Sequence, residues 1–109
     1  MKKGAFFVCL LGIFAFGSFA IAADEPVEEP DGSALYRQHC ASCHGDDGSE
    51  TPVGSVPIKG QSPEEVKTKL AGYVDDTYGG KNKLMMQKAL KKLSPEEIAS
   101  IEAYMETIL

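Results

Sequence analysis

Cys40-Ala41-Ser42-Cys43-His44 sets two thiols three residues apart with an imidazole directly after the second. On one turn of helix this spacing brings both sulfurs to the same side of the backbone. Two such thiols can add to the two vinyl groups of one haem, and the next residue is then held beneath the iron. Cys40 and Cys43 are therefore the expected thioether positions of a covalently attached haem c, one per chain, with His44 as an axial iron ligand. Rival uses of the same residues fit less well. A thioredoxin-like dithiol sits between a strand and a helix, and no segment before Cys40 alternates as a strand does. A structural zinc site draws ligand pairs from separated segments, whereas His39, Cys40, Cys43 and His44 crowd into six residues with no second pair elsewhere. His39, the only other histidine, adjoins a tethered cysteine and reads as a solvent-facing helix residue.

Outward from the motif, the chain reads as helices joined by loops. Asp31 or Ser33 can cap a first helix running through Ala34-Leu35-Tyr36-Arg37-Gln38 toward Cys40. Residues 45–60 hold four glycines and two prolines and read as loop. Ser62-Pro63-Glu64-Glu65 combines a capping serine, a proline suited to the first helical position and a glutamate able to close a capping box. Val66, Leu70 and Tyr73 then recur on one face. Gly79-Gly80 breaks the pattern, and a third helix is predicted over Lys83–Leu93. Ser94-Pro95-Glu96-Glu97 repeats the start signal, after which Ile98, Ile101, Met105 and Ile108 mark the buried face of a last helix. The predicted fold class is all-α.

The ends bound what such a chain can be. Lys2 and Lys3 precede an uncharged apolar run, and Ala20-Ile21-Ala22 has the small residues a signal peptidase reads. Residues 1–22 are thus expected to be a cleaved signal peptide, with Cys9 discarded inside it, and the mature chain is expected in the periplasm. An uncleaved anchor is the competing reading, because Gly4–Ala23 is about long enough to span a bilayer. Residues 23–31 carry five acids and two prolines and read as a disordered acidic leader. Residues 32–109 form the domain, too small to build a deep core from side chains alone. A cofactor that becomes part of the core answers that shortage. No Ser/His/Asp set, second metal cluster or nucleotide loop is present, so an enzyme is not expected.

The second axial ligand has three methionine candidates. Met105 belongs to the apolar face of the last helix and reads as core. Met86 shares a helical face with Ala89, Leu90 and Leu93, while Met85 shares one with Lys88 and Lys92. Periodicity therefore selects Met86.

The chain resembles the class I cytochromes c, and among them the small monohaem cytochromes c-553 of sulfate-reducing bacteria. The likeness covers Asp31–Leu109 and is carried by Ala34-Leu35-Tyr36, His44-Gly45, Asp47-Gly48-Ser49, Lys59-Gly60-Gln61, Gly72-Tyr73, Tyr78-Gly79-Gly80 and Ala103-Tyr104-Met105. It implies about four helices wrapped around one covalently bound haem. It also implies that Met86, the second methionine after Tyr-Gly-Gly, binds iron, and that the Pro57 carbonyl accepts the ring N–H of His44. Gly32 and Tyr36 resemble the residues that cross the last helix at Ile101 and Tyr104. One departure is Gln87, where many class I members place proline after the ligand methionine. The implied function is single-electron carriage between a periplasmic dehydrogenase, such as formate dehydrogenase, and an oxidase or another cytochrome. A haem-based sensor or peroxidase-like protein with an open sixth site is the alternative.

Charge suggests how partners are met. With Lys2 and Lys3 removed, 9 basic residues remain against 16 acidic ones, five of the acids in the leader. Residues 80–93 hold five lysines and no acid. This is either a solvated helix face or a rim that steers the haem edge onto an acidic redox partner. Lys81, Lys83 and Lys88 are the expected rim, with Lys91 and Lys92 further off, and charge reversal at Lys69 on the second helix is expected to matter less. Nucleic acid and stable membrane insertion are not expected of the mature chain, which reads as a monomer.

Overall fold

In the computed structural model the described residues are Gly17, Pro26 and 28–109. The rest of the signal segment and of the leader lies outside them. Helices α1 (Gly32–His39), α2 (Ala41–His44), α3 (Pro63–Val74), α4 (Lys83–Leu90) and α5 (Pro95–Met105) follow one another, with no strand among the described residues. The fold is the all-α arrangement expected, with one element more. The first helix does not run into the motif. Cys40, at φ −120° and ψ −42°, ends α1 and begins the single turn α2.

The starts of α3 and α5 obey the same local chemistry. The Ser62 hydroxyl accepts from the Glu65 amide at 3.2 Å, and the Glu65 carboxylate accepts from the Ser62 amide at 2.8 Å. Ser94 and Glu97 repeat this at 3.1 and 2.8 Å. Each pair satisfies two amides that the helix itself leaves open, worth about 1 kcal/mol per cap. The second cap also explains why α4 stops at Leu90 and not at Leu93. Ser94 must be extended, at φ −75° and ψ 162°, so the chain leaves the helix beforehand through a tight turn in which the Leu93 amide donates to Leu90 O.

The main helix crossing is α1 on α5. A Cβ on Gly32 would run into the Ser100 carbonyl, so only glycine allows this approach. One turn along α1, the Tyr36 and Tyr104 rings lie 5.4 Å apart at 53°. Tyr36, Val66, Ile101 and Met105 form the buried cluster, with Leu70, Leu93 and Ile108 half-buried against it. α4 packs chiefly on α3, and α2 on α1.

Gly32→Ala should destabilise the haem-loaded protein by about 1–3 kcal/mol, the range for forcing extra volume into a tight contact. Equilibrium denaturation checks this, and an unchanged midpoint would show that the crossing yields freely.

Candidate functional site

The helices enclose a mostly apolar cavity of ≈ 340 Å³, within the roughly 300–1,000 Å³ of ligand and cofactor sites. Cys40, Cys43 and His44 reach its wall from the α1–α2 break, Met85 and Met86 from α4, and Ile101 and Met105 from α5. The break at Cys40 puts one thiol half-buried and the other exposed at the mouth. Burial pushes the Cys40 thiol up to about 11, and neighbouring Cys43 adds to the rise. A raised pKa works against thiolate chemistry at Cys40.

His44 is held through its backbone. Its amide donates to Cys40 O at 3.0 Å, and its carbonyl accepts from the Glu50 amide at 3.1 Å. The chain then turns at Gly45, φ +75°, a conformation suited to glycine. Beneath that turn the Tyr36 hydroxyl, fully buried, donates to Gly45 O at 2.7 Å. Burial lowers the His44 pKa, opposed in part by the Glu50 backbone, and Nδ1 is buried without a hydrogen-bond partner. A neutral imidazole on an apolar cavity wall is the state in which histidine donates to a metal.

The expected bond between His44 and Pro57 is absent. The Pro57 carbonyl instead accepts the Gln61 side-chain amide at 2.6 Å. His39, read as solvent-facing, is half-buried on the cavity wall.

Met86 is half-buried, whereas Met85 is 56% exposed. Gln87 donates to Tyr73 O at 3.1 Å and to the Asp76 carboxylate at 2.9 Å, tying α4 to the end of α3. A residue missed in the sequence is Asn82. It precedes α4 but makes no cap, and its side chain reaches Val53 O at 3.2 Å and the Ser55 hydroxyl at 2.8 Å. It thereby joins the 53–55 loop to the segment bearing Met86. No local signal distinguishes this from ordinary capping by asparagine.

The lysines divide differently from expectation. Lys81 is exposed on the cavity rim. Lys83 is bound to Asp76 at 2.7 Å, so its charge is locally compensated. Lys69, expected to matter less than Lys81 and Lys83, lies on the cavity wall.

A helical domain with two thiols and an adjacent imidazole on one apolar cavity defines a covalent haem protein, and the fit of the group to these residues is sound. The cytochrome c family model matches residues 30–109, and the chain belongs to that family. It is 38% identical over 110 residues, 99% of this chain and all of the relative, to cytochrome c-553 of Nitratidesulfovibrio vulgaris. It is also 43% identical over 76 residues, 70% of this chain and 94% of the relative, to cytochrome c-553 of Desulfomicrobium norvegicum. A cytochrome c-554(548) of Halomonas halodenitrificans matches at 34% over 65 residues, 60% of this chain and 78% of the relative. The cofactor is covalently attached haem c, and the protein is an electron carrier of the cytochrome c family.

The Tyr36 contact sets a pH test. Burial raises the Tyr36 pKa to about 12. The folded state therefore holds this proton more tightly than the unfolded state, in which tyrosine titrates near pH 10. The resulting stability is complete below about pH 10 and is lost as pH climbs toward about 12. At neutral pH, Tyr36→Phe should cost about 1 kcal/mol, and the wild-type advantage should vanish across that window. Denaturation curves of the two proteins falling in parallel above pH 10 would refute the assignment.

Proposed function

We propose that this protein is a monomeric single-electron carrier of the periplasm, delivered there by cleavage after Ala22. Its haem is held by thioethers to Cys40 and Cys43, with His44 and Met86 as the two axial ligands. The observation that carries this reading is that His44 and Met86 reach one cavity from elements that do not chiefly pack on each other, α2 resting on α1 and α4 on α3. Side chains so placed can approach a planar group from separate walls. Histidine/methionine ligation leaves no open iron position and raises the reduction potential. The bound haem supplies the Fe(II)/Fe(III) change. The chain's own part is to hold the ligands, exclude water and present an edge to partners. Gln87 and Asn82 serve the first task by fastening the Met86 segment to α3 and to the 53–55 loop.

Val56 and Met85, 62% and 56% accessible, line the cavity together with Lys81, and a bound haem would present its edge there. Such a rim suits an acidic redox partner. A periplasmic dehydrogenase, formate dehydrogenase among them, is the proposed donor, and an oxidase or another cytochrome the acceptor. Lys81 and Lys88 carry the steering charge, while Lys83 is spent on Asp76.

Met86→Ala should turn the iron from low to high spin and let carbon monoxide bind, whereas Met85→Ala should leave the spectrum nearly unaltered. The reverse pattern would move the ligand to Met85, and carbon monoxide binding by the wild type would favour an open-site sensor or peroxidase-like protein. Mass spectrometry of exported protein should show the chain from Ala23 plus one haem. Lys81→Glu should slow reduction by a purified formate dehydrogenase several-fold and flatten its dependence on ionic strength. A wild-type rate that rises with salt would sink the steering role.

A further inference from the structure

Two lysines line the cavity, Lys69 and Lys81, and no carboxylate does. Lys81 is exposed to water, but Lys69 is half-buried. Among the described residues, Lys59, Lys67 and Lys83 each pair with an acid. Lys69 has no such partner; its ammonium donates to the neutral Gln61 Oε1. Gln61 in turn donates through Nε2 to Pro57 O at 2.6 Å, so both ends of its amide are committed and the lysine is held in place. Glu65, one turn before Lys69, is occupied by the Ser62 amide in the capping box and acts on Lys69 only through space.

A half-buried cation with no carboxylate in ion-pair contact can take an anion on its open side. Haem brings two. Thioethers to Cys40 and Cys43 would use the vinyl groups and leave the two propionate carboxylates free to meet a cation. Resting on the haem site proposed above, we infer that Lys69, positioned by Gln61, pairs with a haem propionate and thereby tunes the reduction potential.

The sign follows from charge. An ionised propionate favours Fe(III), and a lysine beside it offsets that preference, so removal of the lysine lowers the potential. Removal also makes the carboxylate easier to protonate, so reduction becomes coupled to proton uptake nearer neutral pH. The other titratable side chains on the cavity wall, His39, His44, Tyr73, Tyr78 and Lys81 besides the tethered cysteines, are common to all variants.

The test uses the full chain, exported and haem-loaded, as wild type, Lys69→Gln, Lys69→Arg, Gln61→Ala and Lys67→Gln. Haem content and the low-spin spectrum are recorded first, then the reduction potential from about pH 5 to 9. Lys69→Gln should show a lower potential that varies with pH where the wild type is flat. Lys69→Arg should retain wild-type behaviour, and Gln61→Ala should fall between the two. Lys67→Gln, on the exposed side of α3, should leave the potential in place. Normal haem and spectrum with an unmoved potential in Lys69→Gln overturns this inference alone. So does an equal shift in Lys67→Gln, which would make the effect one of diffuse charge. Failure of the wild type to attach haem overturns the site reading, and this inference with it.

Discussion

The close crossing of α1 on α5 at Gly32 governs the rest of the structure. Because Gly32 has no side chain, α1 lies against the Ser100 carbonyl, and Tyr36 is carried onto Tyr104 and under the turn at Gly45. That hydroxyl fixes the end of α2 and so the backbone of His44. The same crossing directs Ile101 and Met105 of α5 toward the cavity that Cys40, Cys43 and His44 enter from α1 and α2. One missing methyl group thus aligns the covalent motif with the apolar wall it needs. Few apolar residues among those described are buried, namely Tyr36, Val66, Leu90, Ile101 and Met105, which agrees with a small domain whose core includes its cofactor.

The other wall is assembled by polar ties between loops. Gln87 bridges from α4 to Tyr73 and Asp76, and Asp76 also binds Lys83. Hydrogen bonds from Lys83 and Gln87 hold the Asp76 carboxyl below its usual range. The glutamine that stands where many class I members have proline therefore has a mechanical use, linking the methionine-bearing helix to its neighbour through hydrogen bonds. Asn82 does the same across the mouth. Most of these contacts are exposed and individually weak, but they act on the short segment that brings Met85 and Met86 to the cavity wall.

Charge is sorted by depth. Lys59, Lys67 and Lys83 meet acids at the surface, where ion pairs contribute little. Lys81 stays free at the rim, where an unpaired charge is cheaply hydrated and useful in encounter. Lys69 is drawn inward, where a charge matters most because water screens it least.

Much of this was legible in the sequence because it is local. Cys40-Ala41-Ser42-Cys43-His44 names its chemistry by spacing alone, and Ser62-Pro63-Glu64-Glu65 and Ser94-Pro95-Glu96-Glu97 place two helix starts to the residue, since a capping box closes within four residues. The periodicity that separated Met86 from Met85 likewise needs only one helix, and their burial differs as that periodicity predicts. The break at Cys40 is not legible in the sequence because nothing in residues 39–41 forbids helix; it comes from carrying the motif around the end of α1. Other features depend on partners distant in the chain. Gln61 and not His44 takes the Pro57 carbonyl, Asn82 spans to residues 53–55, Asp76 neutralises Lys83, and Lys69 turns into the cavity. Sequence determined which groups the protein owns and which helices carry them. Only the tertiary structure decided which acceptor each donor finds and which lysines stay in water, because those choices are settled by competition among groups that meet only once the chain has folded.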